Sequence, residues 1–455
     1  MLKKINERKQ HLYILTFLLG LFLGISRPFL ASTDEPAHKY LDYFHQVYQI
    51  IKTDYVDRPA NKELFYGAIK GTINSLDDPY SRFLDENDFS QLQEETSGKF
   101  VGVGIEITIK DGEVVVISPI EDTPAMKAGI KAGDTITRVD NTSLKNKGIA
   151  DIVKLIKGLP HTKVKLHVRR EGFDKLLEFE IERLPIKIET LNYAIMKQHK
   201  IGYLKLKVFN SSTQREVEKA LNYFNKQNIQ KLIIDLRWNP GGLLDKSIQV
   251  SDMFLEKGKV IVSTKGREGT GNIIEFKSQN DSLYKGKLMV LVNEGSASAS
   301  EIFSGAIKDN KRGKLVGQKT FGKGLVQKVF SLDKNIGISL TIARYYTPLG
   351  ESIHGKGILP DHIVPMKKIS DEDKDNIALI YKKKLPELFT KTHKKYNDEN
   401  VKQFMEFLKK RNLEISNESA SIIFRSEVYR YSKRPLYDLK FDNQLKRSVD
   451  IINEV

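Results

Sequence analysis

Apolar positions along the chain change their spacing repeatedly, and each change predicts a different kind of structure. From about 35 to 90, Tyr40, Phe44, Val47, Tyr48 and Ile51 recur at helical spacing in a polar background. The turn Asp77-Asp-Pro-Tyr80 interrupts that region. From about 96 to 184 the pattern shifts to short strands broken by glycine, Phe100-Val-Gly102-Val-Gly104-Ile105-Glu-Ile107 and then Val114 to Ile117. A helix over 148–157 places Ile149, Ile152, Val153 and Ile156 on one face, and strands over 163–169 and 176–181 close the unit. From about 185 to 365, strands at 202–208, 231–236, 260–263, 287–292, 314–317, 325–330 and 337–343 alternate with helices at 213–226, 243–255 and 298–309. That alternation predicts an α/β core around a largely buried sheet. The last stretch, 366–455, carries lysine-rich helical patterns at 375–384 and 400–411, with packing or dimerisation as its expected role.

The extreme N-terminus reads differently. Lys3, Lys4, Arg8 and Lys9 precede the apolar run Leu12 to Ile25, and Arg27 ends it. Fourteen residues are short for a membrane span of roughly 17–25 and suit the apolar region of a signal peptide. Residues 1–31 are therefore a signal peptide or an uncleaved anchor, and the expected location is the periplasm or the outer face of the cytoplasmic membrane.

Composition narrows the classes. A chain of 455 residues suggests about three domains, and 40% apolar with 29% charged residues is globular. The net charge of +16 is spread among 58 acidic residues without any nucleic-acid-binding signature, so no nucleic-acid partner is expected. With no cysteine there is neither a disulfide nor a thiolate nucleophile.

The candidate chemistry lies in two segments, Gly295-Ser-Ala-Ser298-Ala299-Ser-Glu301 and Thr320-Phe-Gly-Lys323-Gly324. The first joins an apolar strand to a helix whose stripe Ala299, Ile302, Phe303, Ala306 and Ile307 packs on a sheet. Ser298 then sits in the first turn, where unpaired N–H groups favour negative charge and the N–H of Ala299 can face an oxyanion. A serine at such a place most often caps the helix, and one of Ser296, Ser298 and Ser300 is expected to do so. Asn239-Pro-Gly241-Gly242 ends another strand and exposes backbone N–H groups, making Gly242 a second oxyanion donor or simply a glycine-rich turn.

Lys323 can act as a base only if burial lowers its pKa by roughly 3 units from about 10.4. Phe321, Leu325 and Val326 are its apolar neighbours, and Gln327 is placed to orient the amine. The overlapping Gly317-x-x-x-x-Gly322-Lys323 resembles a phosphate-binding loop. It lacks the following Ser or Thr and runs into a strand, so the nucleotide reading fails. No histidine pair has metal-ligand spacing, so no metal or cofactor is expected.

The stretch 96–184 resembles a PDZ domain, through its glycine loop and the motif Ala128-Gly-x-x-Ala132-Gly-Asp134. Glycines at 102 and 104 can turn successive N–H groups toward a chain-terminal carboxylate. Phe100, Val101, Gly102, Val103, Gly104, Ile105, Val153, Ile156 and Lys157 are the expected groove residues. From Asp78 (Asp-Pro-Tyr-Ser-Arg-Phe-Leu) to Val364 the chain resembles the carboxy-terminal processing proteases, exported enzymes with an embedded PDZ domain and a Ser-Lys dyad.

The resemblance implies a multidomain α+β protein: a helical region over 35–92, the PDZ domain over 96–184, a ClpP/crotonase-like protease core over 185–365 and a helical extension over 366–455. It implies Ser298 as nucleophile, Lys323 as base 25 residues later, Gln327 orienting the lysine, and Gly242 with Ala299 as oxyanion donors. One departure is Ile156-Lys157-Gly158, where the family commonly has Ile-Arg-Gly. Expected partners are polypeptides with apolar C-termini, a second copy through the N- and C-terminal helical regions, and an adaptor protein. The rival expectation is a catalytically silent peptide-binding scaffold of the cell envelope.

Overall fold

The protein was analysed as a computed structural model, which describes residues 37–454 apart from 111, 121–122, 132, 171–172, 188, 268–272, 368 and 431–433. The expected leader and Ala132 lie outside the described residues. Two compact units divide at Asp77/Asp78.

Within the first unit, helices Ala37–Asp54 and Asn61–Asn74 pack through Phe65, whose ring lies 5.1 Å from Tyr48 and 6.2 Å from Phe44.

The second unit begins with a strand that helical periodicity did not foresee. Arg82–Leu84 pairs antiparallel with the start of Gly337–Tyr346. Helix Glu86–Ser97 follows, N-capped by the Asp85 side chain and ended by Gly98 at φ 68°.

The PDZ-like body is a sheet ordered Ile105–Lys110, Glu113–Pro119, Thr135–Val139, Lys163–Arg169, Leu177–Glu182, with helix Ile149–Ile156 on its core. Its incoming strand Lys99–Gly102 and outgoing strand Leu184–Lys187 pair with each other, so the domain is tied at its base. Asp134 is buried and receives a bidentate Arg170, at 2.7 Å on each oxygen. The expected PDZ motif therefore contains a structural clamp.

The α/β core is a six-stranded sheet ordered Leu191–Met196, Ile201–Leu206, Lys231–Asp235, Lys287–Val292, Lys314–Gly317, His362–Ile363. The first pair is antiparallel and the rest parallel. Its strands are almost continuously apolar because both faces are covered. Leu204, Leu232, Ile234, Leu288, Val290 and Val292 face helices Thr213–Lys226, Leu244–Asp252 and Ala299–Asp309. Tyr203, Ile233, Met289, Leu291 and Val316 face Leu445, Val449, Ile451 and Ile452 of helix Asn443–Glu454. The expected packing role of the C-terminal region is thus seen in its last helix. The helices between, from Lys374 to Val428, enclose a separate core around Phe389, Phe404 and Phe424.

A second sheet carries Leu325–Ser331 against Gly337–Tyr346, which also pairs with Val260–Lys265.

Candidate active site

Strand Lys287–Val292 delivers the chain to a tight turn, and Ser298 occupies the N-cap of helix Ala299–Asp309 with φ 53° and ψ −112°. That backbone is strained for a serine, costing on the order of 1–3 kcal/mol, and persists only where neighbours hold it. Ser296 Oγ donates to the Leu236 carbonyl at 2.8 Å, and Ser300 Oγ to the Asn239 carbonyl at 2.9 Å. Those two serines bind the Ser298 turn to the glycine loop. Ser298 is the one of the three that lines the cleft.

The glycine loop fits against it with no room to spare. A Cβ on Gly241 would lie 2.6 Å from the Ala297 carbonyl oxygen and 2.8 Å from Ala299 N, at φ 101°. Gly242 has φ 134°, and its Cβ would lie 2.0 Å from the Phe209 carbonyl oxygen. The Gly241 N–H is used by the Asn239 side chain at 2.9 Å. Among the described residues, the N–H groups of Gly242 and Ala299 have no acceptor. They are the two unsatisfied donors beside Ser298.

Lys323 reaches the same cleft of about 780 Å³, lined also by Gly242, Ala299, Gln327 and Tyr345. All five expected catalytic and oxyanion residues are therefore brought together. Among the described residues, no hydrogen bond joins the Ser298 and Lys323 side chains, however. The Lys323 amine lies 4.8 Å from the centre of the Tyr80 ring, and Gln327 Nε2 donates to Thr341 Oγ1 at 3.3 Å instead of to the lysine's surroundings. An ammonium gains from an aromatic face, which accounts for this parking place. Burial, helped by the nearby Arg82 guanidinium, holds the Lys323 ammonium below the usual lysine range, and Asp78 opposes this. The hydroxyl of Tyr345 donates to the Lys323 carbonyl, and Tyr345 lines the cleft beside Ser298.

Comparison with known proteins matches residues 200–364 to Peptidase family S41, 115–170 to the PDZ domain, and 29–88 to the activating protease CtpB N-terminal domain. A carboxy-terminal-processing protease of Bartonella bacilliformis is 37% identical over 77% of this chain and 82% of its own. The chain belongs to the carboxy-terminal processing proteases. The carboxy-terminal processing protease CtpA of Bacillus subtilis is 38% identical over 70% of this chain and 68% of that one. Among solved structures, the photosystem II D1 C-terminal processing protease aligns at 32% identity, covering 72% of this chain and 88% of that one, with TM-score 0.43.

In this carboxy-terminal processing protease the residue that sequence reasoning passed over is Glu301. It is fully buried, and its carboxylate accepts from four donors. Oε2 takes the N–H groups of Ser298 at 2.9 Å and Lys323 at 2.8 Å. Oε1 takes the Thr320 hydroxyl at 2.6 Å and the Gly322 N–H at 2.7 Å. One carboxylate thus clamps the serine turn to the lysine loop, and burial pushes its pKa up in spite of those donors. The signal was present as Ser298-x-x-Glu301, a capping-box pattern in which the glutamate reaches back to the N-cap N–H.

The PDZ groove differs from expectation in detail. Val103 and Ile156 are core residues, 1% and 5% exposed, and Phe100, Val101 and Gly102 belong to the strand paired with Leu184–Lys187. They pack in the core or lie on that paired strand, where contact with a ligand had been expected. Gly104, at φ 82°, has Thr123 where a Cβ would be, and its carbonyl accepts from Ile120 N–H and the Thr123 hydroxyl. Ile105 opens an edge strand whose outer side is unpaired among the described residues, and Val153 is half-buried on the helix. Lys157 forms an ion pair with Glu94 of helix Glu86–Ser97 and lies 5.2 Å from the Phe100 ring centre. Leu92, Glu95 and Thr96 of that same helix line the catalytic cleft.

Proposed function

We propose that this protease is a serine endopeptidase of exported proteins, acting near their C-terminal tails with Ser298 as nucleophile and Lys323 as base. The observation that carries the reading is the strained serine beside two unsatisfied N–H groups, with a half-buried lysine in the same cleft. The neutral Lys323 amine leaves the Tyr80 ring and takes the Ser298 hydroxyl proton as Oγ attacks a peptide carbonyl. The N–H groups of Gly242 and Ala299 hold the resulting oxyanion. Collapse expels the amine, which takes its proton from Lys323, and water then releases the acyl group by the same route in reverse order. Gln327 orients the lysine once it has swung in.

The free edge of Ile105–Lys110 takes the substrate tail as an added strand, with the carboxylate at the glycine turn and an apolar last side chain beside Val153. Location outside the cytoplasm, pairing of two copies and an adaptor belong to the same proposal. The apolar lining of the cleft by Leu92, Val208, Leu244, Ile302 and Val329 supports extended, apolar-rich segments as substrates. The test is cleavage of a peptide with an apolar C-terminus, together with mass-spectrometric detection of a phosphonate adduct at Ser298. Undiminished cleavage by Ser298→Ala would overturn the mechanism, and a missing adduct with no cleavage would favour a silent scaffold.

A further inference from the structure

A second cavity, of about 310 Å³, lies where the C-terminal extension meets the core, and nothing in the reaction above uses it. Its cations come from four parts of the chain: Lys205 on a core strand, Arg237 just before the glycine loop, Lys367 after the last core strand, and Arg425 with Arg434 from the extension.

Two of these are committed. Arg237 bridges the fully buried Asp235 at 2.7 Å and Asp442 at 2.6 Å, and Arg425 lies 3.2 Å from Asp438. Lys367 faces Glu418 only at 3.9 Å. Among the described residues, Lys205 and Arg434 have no carboxylate within ion-pairing distance, and Lys205 acts on Asp235 only through space. Asp438 and Asp442 line the cavity as well, so its five cations meet two carboxylates there; Lys205 is half-buried and Arg434 exposed.

The remaining wall is aromatic. Trp238, the one tryptophan of the chain, lines the cavity and is 58% exposed, at φ 64°. Its backbone N–H donates to Asn293 Oδ1, which also takes the Gly295 N–H, so the backbone at Trp238 is tied to the serine turn. A large flat side chain left open beside unpaired cations suits a ligand that combines an anionic head with an organic group.

We propose that this cavity binds a small phosphate monoester. The guanidinium of Arg434 and the ammonium of Lys205 meet the doubly charged phosphoryl group, and Trp238 covers the organic part. The volume is at the small end for ligand pockets, which favours a compact ester.

The single tryptophan makes the test direct. Inorganic phosphate and phenyl phosphate are titrated into the intact protein at constant ionic strength set with chloride, following tryptophan emission. A saturable change is expected with both, tighter with phenyl phosphate. Lys205→Gln and Arg434→Gln should each weaken it about tenfold, while Ser298→Ala should leave it unchanged. Lys205→Arg, which keeps the charge, guards against a folding defect and should bind. No saturable change up to tens of millimolar would overturn the proposal. So would an unaltered titration in the doubly substituted protein, or an equal response to chloride alone. Because Ser298→Ala serves as a positive control, the outcome is independent of the peptidase reading.

Discussion

Glu301→Gln isolates the clamp between the serine turn and the lysine loop. The glutamine is nearly the same size, so packing is kept. Its amide retains one oxygen, which can satisfy two of the four donors, and turns an –NH2 toward the other two. Those two lost bonds are charge-assisted, at about 1.5–3 kcal/mol each. Against them stands the relief of no longer burying a charge whose pKa burial has already raised. The net loss is roughly 2–4 kcal/mol. If all of it falls on the alignment of Ser298 with Lys323, kcat/KM drops about 30- to 1,000-fold at ~1.36 kcal/mol per decade.

Steady-state cleavage of a peptide with an apolar C-terminus measures this, with KM nearly unchanged because the proposed tail site lies elsewhere. The pH dependence supplies a second signature. A raised folded pKa means that the folded chain binds this proton more tightly than the unfolded chain does. Stability from Glu301 therefore falls as pH rises through the window just above 4.5, while activity, which needs the carboxylate, rises through it. Kinetics within threefold of the parent for Glu301→Gln, at an unchanged Tm, would refute the clamp.

Other expectations follow from the same geometry. The pH profile of kcat/KM should rise with an inflection below the ordinary lysine value of 10.5. Arg82→Gln should move it up and Asp78→Asn down, and a profile indifferent to both would remove Lys323 as the base. Gly241→Ala puts a methyl 2.6 Å from the Ala297 carbonyl oxygen at φ 101°, so Tm should fall by the equivalent of about 2–4 kcal/mol, with phosphonate labelling of Ser298 slowed; a normal Tm would contradict the packing. Asp134→Asn leaves the Arg170 guanidinium without its charge partner, for about 3–5 kcal/mol of loss confined to the PDZ body. Tail-bearing substrates should then be cut poorly while Ser298 still labels, and simultaneous loss of both would show that the two bodies fold as one.

How much was legible depended on whether a signal was local. The helix 213–226 and strands 287–292 and 314–317 read correctly because strong periodicity and uninterrupted apolar runs decide them. Leu191–Met196 went unseen, since Asn192 and Ala194 blur its alternation and its partner across the hairpin fixes it. Arg82–Leu84 is three residues long and exists only because Gly337–Tyr346 offers an edge. Ser298, Gly242 and Ala299 were found through strand-to-helix logic. The parking of Lys323 on Tyr80 was not, because the two are far apart in sequence and only tertiary folding joins them. Glu301 hid in plain view: its capping pattern is ordinary, and its bonds to Thr320, Gly322 and Lys323 are not sequence-local.

Helix Asn443–Glu454 sets a timetable for the molecule. Burying Leu445, Val449, Ile451 and Ile452 against the core sheet stabilises by roughly 6–12 kcal/mol, comparable to the whole stability of a typical domain. Until those residues have emerged from the ribosome, the sheet that carries the serine turn has one oily side uncovered. A nascent chain that stops short of Leu445 therefore shows its neighbours an apolar face, and the serine turn has its full support only once this helix has docked.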